Sequence, residues 1–266
     1  MNANTCQYEV HNCRYDYPSR TSLIDINLKL HAGCFYGLIG PNGSGKTTLI
    51  NLLANITRPT DGEIVLQGKS ISAYSRKLLA SILSLVPQNF AMEFEYSVFD
   101  VVMMGRHPYI SRFGNPGPDD IQLVHEALAT LDIRHLSQRY VTRLSGGERQ
   151  RVLVARALAQ DTSIMLLDEA TASLDIKHTI DIMQALKTKV LNRNVTVIAA
   201  IHDLDLAAAF CDELLVLKDG HLISNGPVEK TLNNELLSGA FGVEGHITPT
   251  PWQQVHVQYK YTHATP

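Results

Sequence analysis

A glycine-rich segment that begins at residue 40 has the spacing of a phosphate-binding loop. It fits the pattern G-x-x-x-x-G-K-[ST], follows an apolar run, and precedes a stretch with helical apolar period. Glycines let backbone N–H groups surround phosphates, and a helix N-terminus adds partial positive charge. A turn without a ligand is the alternative, which the flanking strand and helix disfavour. The predicted binding residues are Gly40, Pro41, Asn42, Gly43, Ser44, Gly45, Lys46, Thr47 and Thr48.

Two residues of this loop have predicted chemical roles. Lys46 is expected to neutralise the β and γ phosphates of a nucleoside triphosphate, and the Thr47 hydroxyl is expected to bind Mg²⁺. The loop therefore predicts both a nucleotide and a metal ion.

Two carboxylates, Asp168 and Glu169, follow the apolar run at residues 164–167. Parallel α/β sheets bind their ligands at the carboxyl ends of their strands. We therefore interpret Asp168 as a Mg²⁺ ligand and Glu169 as the base that polarises a water for attack on the γ-phosphate. An Asp-Glu pair alone is more often a polar strand end, and the upstream phosphate loop is what favours catalysis.

A third apolar run, at residues 195–201, ends at His202. A histidine after a strand is usually structural, but an imidazole can donate to phosphate while accepting elsewhere. We expect His202 to contact the γ-phosphate beside Glu169. The remaining histidines show no metal-ligand spacing.

A second pair of glycines lies in the segment LSGGERQ at residues 144–150. Ser145 and Glu148 have the spacing of a capping box, which alone is the simpler interpretation. Adjacent glycines are poor for the first turn of a helix but allow close approach by an outside group. The candidate binding segment is Ser145, Gly146, Gly147 and Glu148, whose glycines leave room for an outside group such as a second phosphate ligand.

The apolar pattern predicts an α/β fold around a parallel sheet, because short β-rich runs alternate with segments of helical period. Alternating stretches at residues 6–17 and 23–30, with a short strand after Asp61, predict an antiparallel side sheet. We expect residues 1–88 and 161–242 to form one core lobe of a single domain spanning residues 1–266.

Residues 89–160 are predicted to form a helical subdomain inserted into this core. A loop rich in Pro and Gly leads to Asp119 and Asp120, which are expected to cap a helix. The apolar face of this helix is predicted to contain Ile121, Val124, Leu128 and Leu131. Residues 243–266 form a C-terminal extension, either a late strand or a loose tail.

The composition narrows the class of protein. With a formal net charge of −3 and no block of like charge, nothing electrostatic indicates nucleic acid as a partner. The four cysteines lack CxxC spacing, as expected of reduced thiols in the cytosol. No apolar stretch approaches the length of a membrane span, and the first 13 residues lack a signal-peptide pattern, so any membrane role is expected to require a partner.

Together the motifs resemble those of the ATP-binding-cassette (ABC) ATPases, whose hallmark is an LSGGE-type signature between the phosphate loop and the acidic strand end. The resemblance covers nearly the whole chain and implies a phosphate-loop NTPase core with a β side sheet and an inserted helical subdomain. It also implies an ATP hydrolase that works as a head-to-tail homodimer around two ATP molecules. The phosphate loop of one copy then faces Ser145, Gly146 and Gly147 of the other.

The resemblance assigns two further site residues, Gln88 and Asp175, and gives His202 a family role. Gln88 matches the family's glutamine loop, which binds Mg²⁺ and reports to a membrane permease. Asp175, with Ser173 and Leu174, matches the loop that crosses the dimer interface, and His202 matches the switch histidine.

An aromatic residue near the N-terminus completes the predicted nucleotide site. Tyr17, before Pro18, matches the aromatic that stacks on adenine, and Tyr15 is the alternative. All catalytic positions hold the expected residue types, so the chain resembles the hydrolysing members of the family.

Other segments are similar to ATPases of iron-siderophore, haem and cobalamin importers. They are residues 101–108, Asp119-Asp120, residues 202–208 and residues 217–220. The similarity implies a subunit at the cytoplasmic face of the inner membrane, bound to integral-membrane permease subunits and served indirectly by a substrate-binding protein. The solute class follows from the resemblance alone, because such an ATPase does not touch the solute.

Several alternatives share part of this pattern. Chromosome-maintenance ATPases place a long coiled coil between phosphate loop and signature, whereas Thr47 and Ser145 are only 98 positions apart here (145 minus 47). Translation factors of the superfamily carry two cassettes, and a regulatory ATP-binding module would lack Glu169 or His202. A phosphate-loop kinase leaves the signature unexplained. Two alternatives stay open, an ABC transporter for another solute and a non-transport phosphate-loop ATPase.

Overall fold

The described residues form three sheets, with a group of helices between two strands of the largest sheet. The computed structural model describes residues 5–18, 20–88, 94–172, 174–250 and 255–260. The strands are β1 (Cys6–Tyr17), β2 (Arg20–His31), β3 (Phe35–Ile39), β4 (Asp61–Leu66), β5 (Lys69–Ser70), β6 (Leu83–Val86), β7 (Ile164–Asp168), β8 (Thr196–Ala200), β9 (Glu213–Lys218), β10 (His221–Pro227), β11 (Gly245–Pro249) and β12 (Val255–Tyr259). The helices are α1 (Lys46–Leu53), α2 (Arg76–Ile82), α3 (Val98–Met103), α4 (Pro118–Thr130), α5 (Gly146–Gln160), α6 (Ile176–Arg193), α7 (Leu204–Phe210), α8 (Val228–Thr231) and α9 (Asn234–Phe241). Short 3₁₀ turns span Ile71–Ala73, Met104–Arg106, Arg134–Leu136 and Val141–Arg143.

The central sheet has the strand order β10-β9-β3-β8-β7-β6. In this order, β9, β3, β8, β7 and β6 are each parallel to their neighbours, whereas β10 pairs antiparallel with β9 at the edge. Every residue of β3, β7 and β8 is buried, as expected of strands covered on both faces. The order places β6, β7 and β8 side by side, so their carboxyl ends lie at one edge.

The side sheet is antiparallel, with the order β2-β1-β4-β5. Helix α1 lies between this sheet and the central one, because apolar residues of both sheets and of α1 belong to one buried cluster. The Tyr8 hydroxyl of β1 also donates to the Leu53 carbonyl at the end of α1, at 2.8 Å. The predicted α/β fold with a side sheet is thus confirmed.

Helices α3, α4 and α5 lie between β6 and β7 in the chain, and their apolar residues belong to a second buried cluster that also includes residues of the later helices. Val124, Leu128 and Leu131 are buried as predicted, but Ile121 is 40% exposed. At 100° per residue, Ile121 lies roughly 70° from the centre of the stripe formed by the buried residues, so it is on the predicted face but at its edge.

Helix α4 begins earlier than the predicted caps. Gly117 is the N-cap and Pro118 the first helical residue, so Asp119 and Asp120 lie inside the first turn. Asp120 accepts a hydrogen bond from the Gly117 N–H at 2.9 Å, which satisfies one donor at the helix start. The expectation that either aspartate is the N-cap is therefore wrong.

Candidate active site

The phosphate loop connects β3 to α1, and its backbone requires glycine at two positions. Gly40 has a φ of 149° and Gly45 a φ of 106°. A Cβ at Gly40 would lie 2.0 Å from the Leu217 carbonyl oxygen, and one at Gly45 would lie 2.8 Å from that of Ser22. The region over Gly43 is open, with no atom within 4 Å of an added Cβ. The loop is therefore packed tightly against the residues around Leu217 and Ser22, and its side at Gly43 is open.

Lys46 lies across this loop and is 5% exposed. Its Nζ donates to the carbonyls of Gly40 at 2.9 Å and Pro41 at 3.1 Å. Burial lowers the pKa of the Lys46 ammonium, an effect that the carboxylates of Glu169 and Asp168 oppose. The ammonium thus donates to two neutral carbonyls, and it would form stronger hydrogen bonds with negatively charged phosphate oxygens.

The Thr47 hydroxyl donates to Asp168 Oδ1 at 3.1 Å, which joins the first turn of α1 to the end of β7. Asp168 is 3% exposed, and burial raises the pKa of its carboxyl although the Thr47 hydrogen bond lowers it. A hydroxyl and a carboxylate held together in this way are hard oxygen ligands of the kind that Mg²⁺ prefers.

Glu169 is the point at which three strand ends meet. Its Oε2 accepts from Gln88 Nε2 at 2.6 Å, and its Oε1 lies 2.5 Å from His202 Nε2. Glu169 has a φ of 52°, a left-handed conformation that a glutamate adopts rarely. A strained residue held from two sides is a frequent feature of active sites. We call Lys46, Thr47, Gln88, Asp168, Glu169 and His202 the strand-end cluster.

Thr48 faces the side sheet rather than the loop opening. Its hydroxyl lies 2.8 Å from Ser22 Oγ and 3.4 Å from the Tyr17 hydroxyl. Any contact between Thr48 and a phosphate would therefore come from its backbone N–H.

Tyr17 and Tyr15 differ in exposure. The Tyr17 ring is 36% exposed, whereas Tyr15 packs against the buried cluster and meets Tyr17 edge to face, with centroids 4.9 Å apart. Tyr17 is therefore the more accessible candidate for stacking on a base.

The signature turn, which we define as Ser145, Gly146, Gly147 and Glu148, opens α5. Ser145 caps the helix, and Glu148 Oε2 accepts from the Ser145 N–H at 2.8 Å and its hydroxyl at 2.7 Å. These hydrogen bonds hold the pKa of Glu148 below its ordinary value. An added Cβ at Gly146 would meet none of the described residues within 4 Å. The capping box forms as predicted, and space is open over its glycine.

Asp175 has a comparable local role. It caps α6 by accepting from the His178 N–H at 2.9 Å and pairs with His178 Nδ1 at 2.8 Å. Among the residues that the structure describes, its hydrogen bonds do not reach the strand-end cluster. Ser173, predicted to share its loop, lies outside the described residues.

The turn between β9 and β10 supports the phosphate loop, because the Gly220 N–H donates to the Ser44 carbonyl at 3.2 Å. This contact was not predicted from the sequence. The signal was present in Asp219-Gly220, a dipeptide typical of hairpin turns.

These residues fit a nucleoside triphosphate with Mg²⁺. The glycine cradle is open above, a buried ammonium faces it, and Thr47 with Asp168 supplies oxygen donors. The buried Ser44 hydroxyl also lacks a hydrogen-bond partner in the described part of the chain. Phosphate oxygens and a hard cation would satisfy this set.

No helix among the described residues has both the length and the apolar character to cross a membrane.

Comparisons with known proteins agree with this arrangement. The family model described as ABC transporter matches residues 23–172. The cobalamin import ATP-binding protein of Halobacterium salinarum is 40% identical over 238 residues, which is 86% of this chain and 59% of that protein, so the chain spans less than two thirds of that relative's length. The hemin import ATP-binding protein of Thermobifida fusca is 37% identical over 88% of this chain and 82% of that protein.

Two solved structures share the fold. A chain from an inward-facing structure described as a metal-chelate type ABC transporter superimposes with a TM-score of 0.82 at 30% identity, covering 97% of this chain and 98% of that one. A dimeric bacterial ABC transporter cassette gives a TM-score of 0.75 at 27% identity, covering 83% of this chain and 98% of that one. The fold is that of an ABC ATPase cassette. The chain belongs to the ABC transporter family.

Proposed function

We propose that this chain is the ATP-binding and ATP-hydrolysing subunit of an ABC importer for a metal chelate. The observation that carries the hydrolytic part is the meeting of Gln88 and His202 on Glu169, beside Lys46 and the pair of Thr47 with Asp168. A carboxylate fixed from two sides at the open edge of a phosphate loop is arranged as a general base.

In this proposal each group of the strand-end cluster has one task. Glu169 takes a proton from the attacking water, and Gln88 and His202 hold its carboxylate in position. Lys46 turns its ammonium from the loop carbonyls to the β and γ phosphates. His202 also contacts the γ-phosphate and distinguishes ATP from ADP.

Mg²⁺ and adenine complete the nucleotide site. When bound, Mg²⁺ supplies positive charge that stabilises the transferred phosphoryl group. Thr47 and Asp168 are placed to hold it, together with the Gln88 amide oxygen. Tyr17 offers its exposed ring to adenine.

A second copy of the chain is proposed to close each site head to tail. The signature turn has open space over Gly146 and a helix N-terminus that favours phosphate. Asp175 would cross the interface beside it. The likeness to a dimeric cassette supports this assembly.

The proposed permease contact is a groove of about 1130 Å³ between α2 and the helical part of the molecule. Its rim includes Arg58, Arg76, Lys77 and His107, so it would accept a segment with acidic or carbonyl groups at its ends. Binding there would hold the chain at the cytoplasmic face of the inner membrane and pass its motion to the permease. The names of the two import relatives support a metal chelate as cargo, delivered by a substrate-binding protein.

The test is ATP hydrolysis by the chain reconstituted with its permease in lipid, with and without binding proteins loaded with siderophore, haem or cobalamin. We expect stimulation by one loaded binding protein and none by its unloaded form. Hydrolysis that responds to none of them would overturn the assignment of the cargo while leaving the ATPase. Absence of hydrolysis in the complete complex would overturn both.

A further inference from the structure

The C-terminal hairpin of β11 and β12 is attached to helices rather than to either larger sheet. It packs on α7 through β12 and on α9 through β11. Val257 of β12 is 3% exposed and belongs to the apolar cluster that also contains α7 residues. The hairpin therefore packs against α7 through a buried apolar contact.

Asp205, in the first turn of α7, makes the polar part of this attachment. Its Oδ1 accepts from the Val257 N–H at 2.7 Å, and its Oδ2 lies 3.0 Å from His256 Nδ1. Both carboxylate oxygens are thus used on two consecutive residues of β12. Because Val257 is buried, loss of Asp205 would leave its N–H without this acceptor.

The same helix begins immediately after His202. Asp203 is the N-cap of α7 and accepts from the Leu206 N–H at 3.0 Å, so the backbone of His202 is continuous with the first helical turn. His202, Glu169 and Asp205 also line one groove of about 820 Å³ between α6 and α7. A shift of the first turn of α7 would therefore move His202 relative to Glu169.

Helix α7 has only seven residues, too few for its own hydrogen bonds to make it stable without packing against other elements. Its orientation must come from what it packs against. The hairpin supplies such a contact at the end of the helix that is nearest His202.

We propose that Asp205 is a positioning residue: by fastening the C-terminal hairpin to the first turn of α7, it keeps His202 within hydrogen-bonding distance of Glu169. This inference rests on the proposed function, in which the two residues act together. It gives the hairpin a role in hydrolysis rather than in nucleotide binding.

The test compares Asp205→Ala and Asp205→Asn in the full chain. Asp205→Ala is expected to lower kcat for ATP hydrolysis about 10-fold with KM nearly unchanged, because displacing a catalytic group mainly affects the chemical step. Asp205→Asn keeps an oxygen acceptor for Val257 and should recover most of kcat. The matched control is Glu244→Gln, which removes the Glu244–Lys260 pair of the same hairpin without touching α7.

A double-mutant cycle separates positioning from general destabilisation. If Asp205 acts through His202, then Asp205→Ala should have little further effect on kcat in a His202→Ala chain. A purely structural role would lower the residual activity by the same factor in both backgrounds, which would overturn the proposal. An unchanged kcat in Asp205→Ala would do the same.

The variant Glu169→Gln distinguishes failure of the positioning role of Asp205 from failure of the proposed catalytic site. If it is inactive while Asp205→Ala is normal, only the positioning role fails. If Glu169→Gln hydrolyses ATP normally, the proposed catalytic site fails and the positioning role with it.

Discussion

The strand-end cluster and the signature turn differ in where their polar groups find partners. In the cluster, residues from different elements contact each other, as Gln88 and His202 both do with Glu169. In the signature turn, Ser145 and Glu148 bond to one another, and the space over Gly146 is open. One region is thus assembled within a single chain, whereas the other faces outward. This difference is the basis of the proposed head-to-tail dimer, in which the two regions of different copies would complete one site.

The largest expected effect tests whether the assembled region does the chemistry. Glu169→Gln should lower kcat by about 10²-fold to 10⁴-fold, because it removes the base while keeping a similar shape. ATP binding, measured with a fluorescent analogue, should persist, and ATP should trap a dimer visible by light scattering. A variant that hydrolyses ATP normally, or that stays monomeric with ATP, would contradict this role.

The next prediction concerns the outward-facing region. Gly146→Asp should lower hydrolysis by about 10²-fold through charge repulsion of phosphate, although nothing lies within 4 Å of the added Cβ. Its melting temperature and nucleotide binding by the monomer should stay close to those of the unmodified chain.

Gly239→Asp is the matched control, because Gly239 is also a helical glycine with open space at its Cβ. Similar losses of activity in the two variants would show that Gly146 has no special function.

A smaller effect is expected at the edge of the assembled region. Tyr17→Ala should weaken ATP binding about 10-fold with kcat little changed, since stacking on a base is worth roughly 1–3 kcal/mol. Tyr17→Trp should restore affinity, and Tyr15→Ala should act mainly on stability because Tyr15 packs against the core. Loss of affinity in Tyr15→Ala but not in Tyr17→Ala would reverse the assignment.

The smallest effect is on stability and follows from the buried carboxyl of Asp168. Its pKa is raised, so the folded state disfavours the carboxylate. The protonated carboxyl therefore contributes to the free energy of unfolding fully when the pH is below the ordinary pKa of aspartate. This contribution is lost as the pH rises through the raised pKa of Asp168 in the folded state. Asp168→Asn should therefore unfold at a higher temperature than the unmodified chain at neutral pH, without nucleotide or Mg²⁺.

This stability difference should shrink as the solution is acidified, which a series of thermal scans would show. A difference that does not depend on pH would indicate that the Asp168 charge carries no cost.

Sequence alone predicted the parts whose determinants are local. The phosphate loop and the capping box of Ser145 depend on residues a few positions apart, and both have the predicted local structure. The meeting of Gln88, Glu169 and His202 depends on β6, β7 and β8 being neighbours, an order that no local pattern contains.

Other features depend on contacts that are distant in sequence. The contact of Asp205 with Val257 joins residues 52 positions apart and could not be predicted from either segment. The exposure of Ile121 could not be predicted either, because helical period fixes relative angles along α4 but not where the buried stripe ends. The left-handed backbone of Glu169 is likewise imposed by its surroundings rather than by its residue type.

We expect the strand-end cluster of one copy to work with the signature turn of another. Mixing Lys46→Ala chains, whose signature turn is intact, with Gly146→Asp chains, whose strand-end cluster is intact, tests this assembly. Each variant alone should be nearly inactive. An equimolar mixture should recover up to roughly a quarter of the unmodified ATPase activity, because half of randomly paired dimers are mixed and each has one complete site. A mixture no more active than its two components would contradict the account.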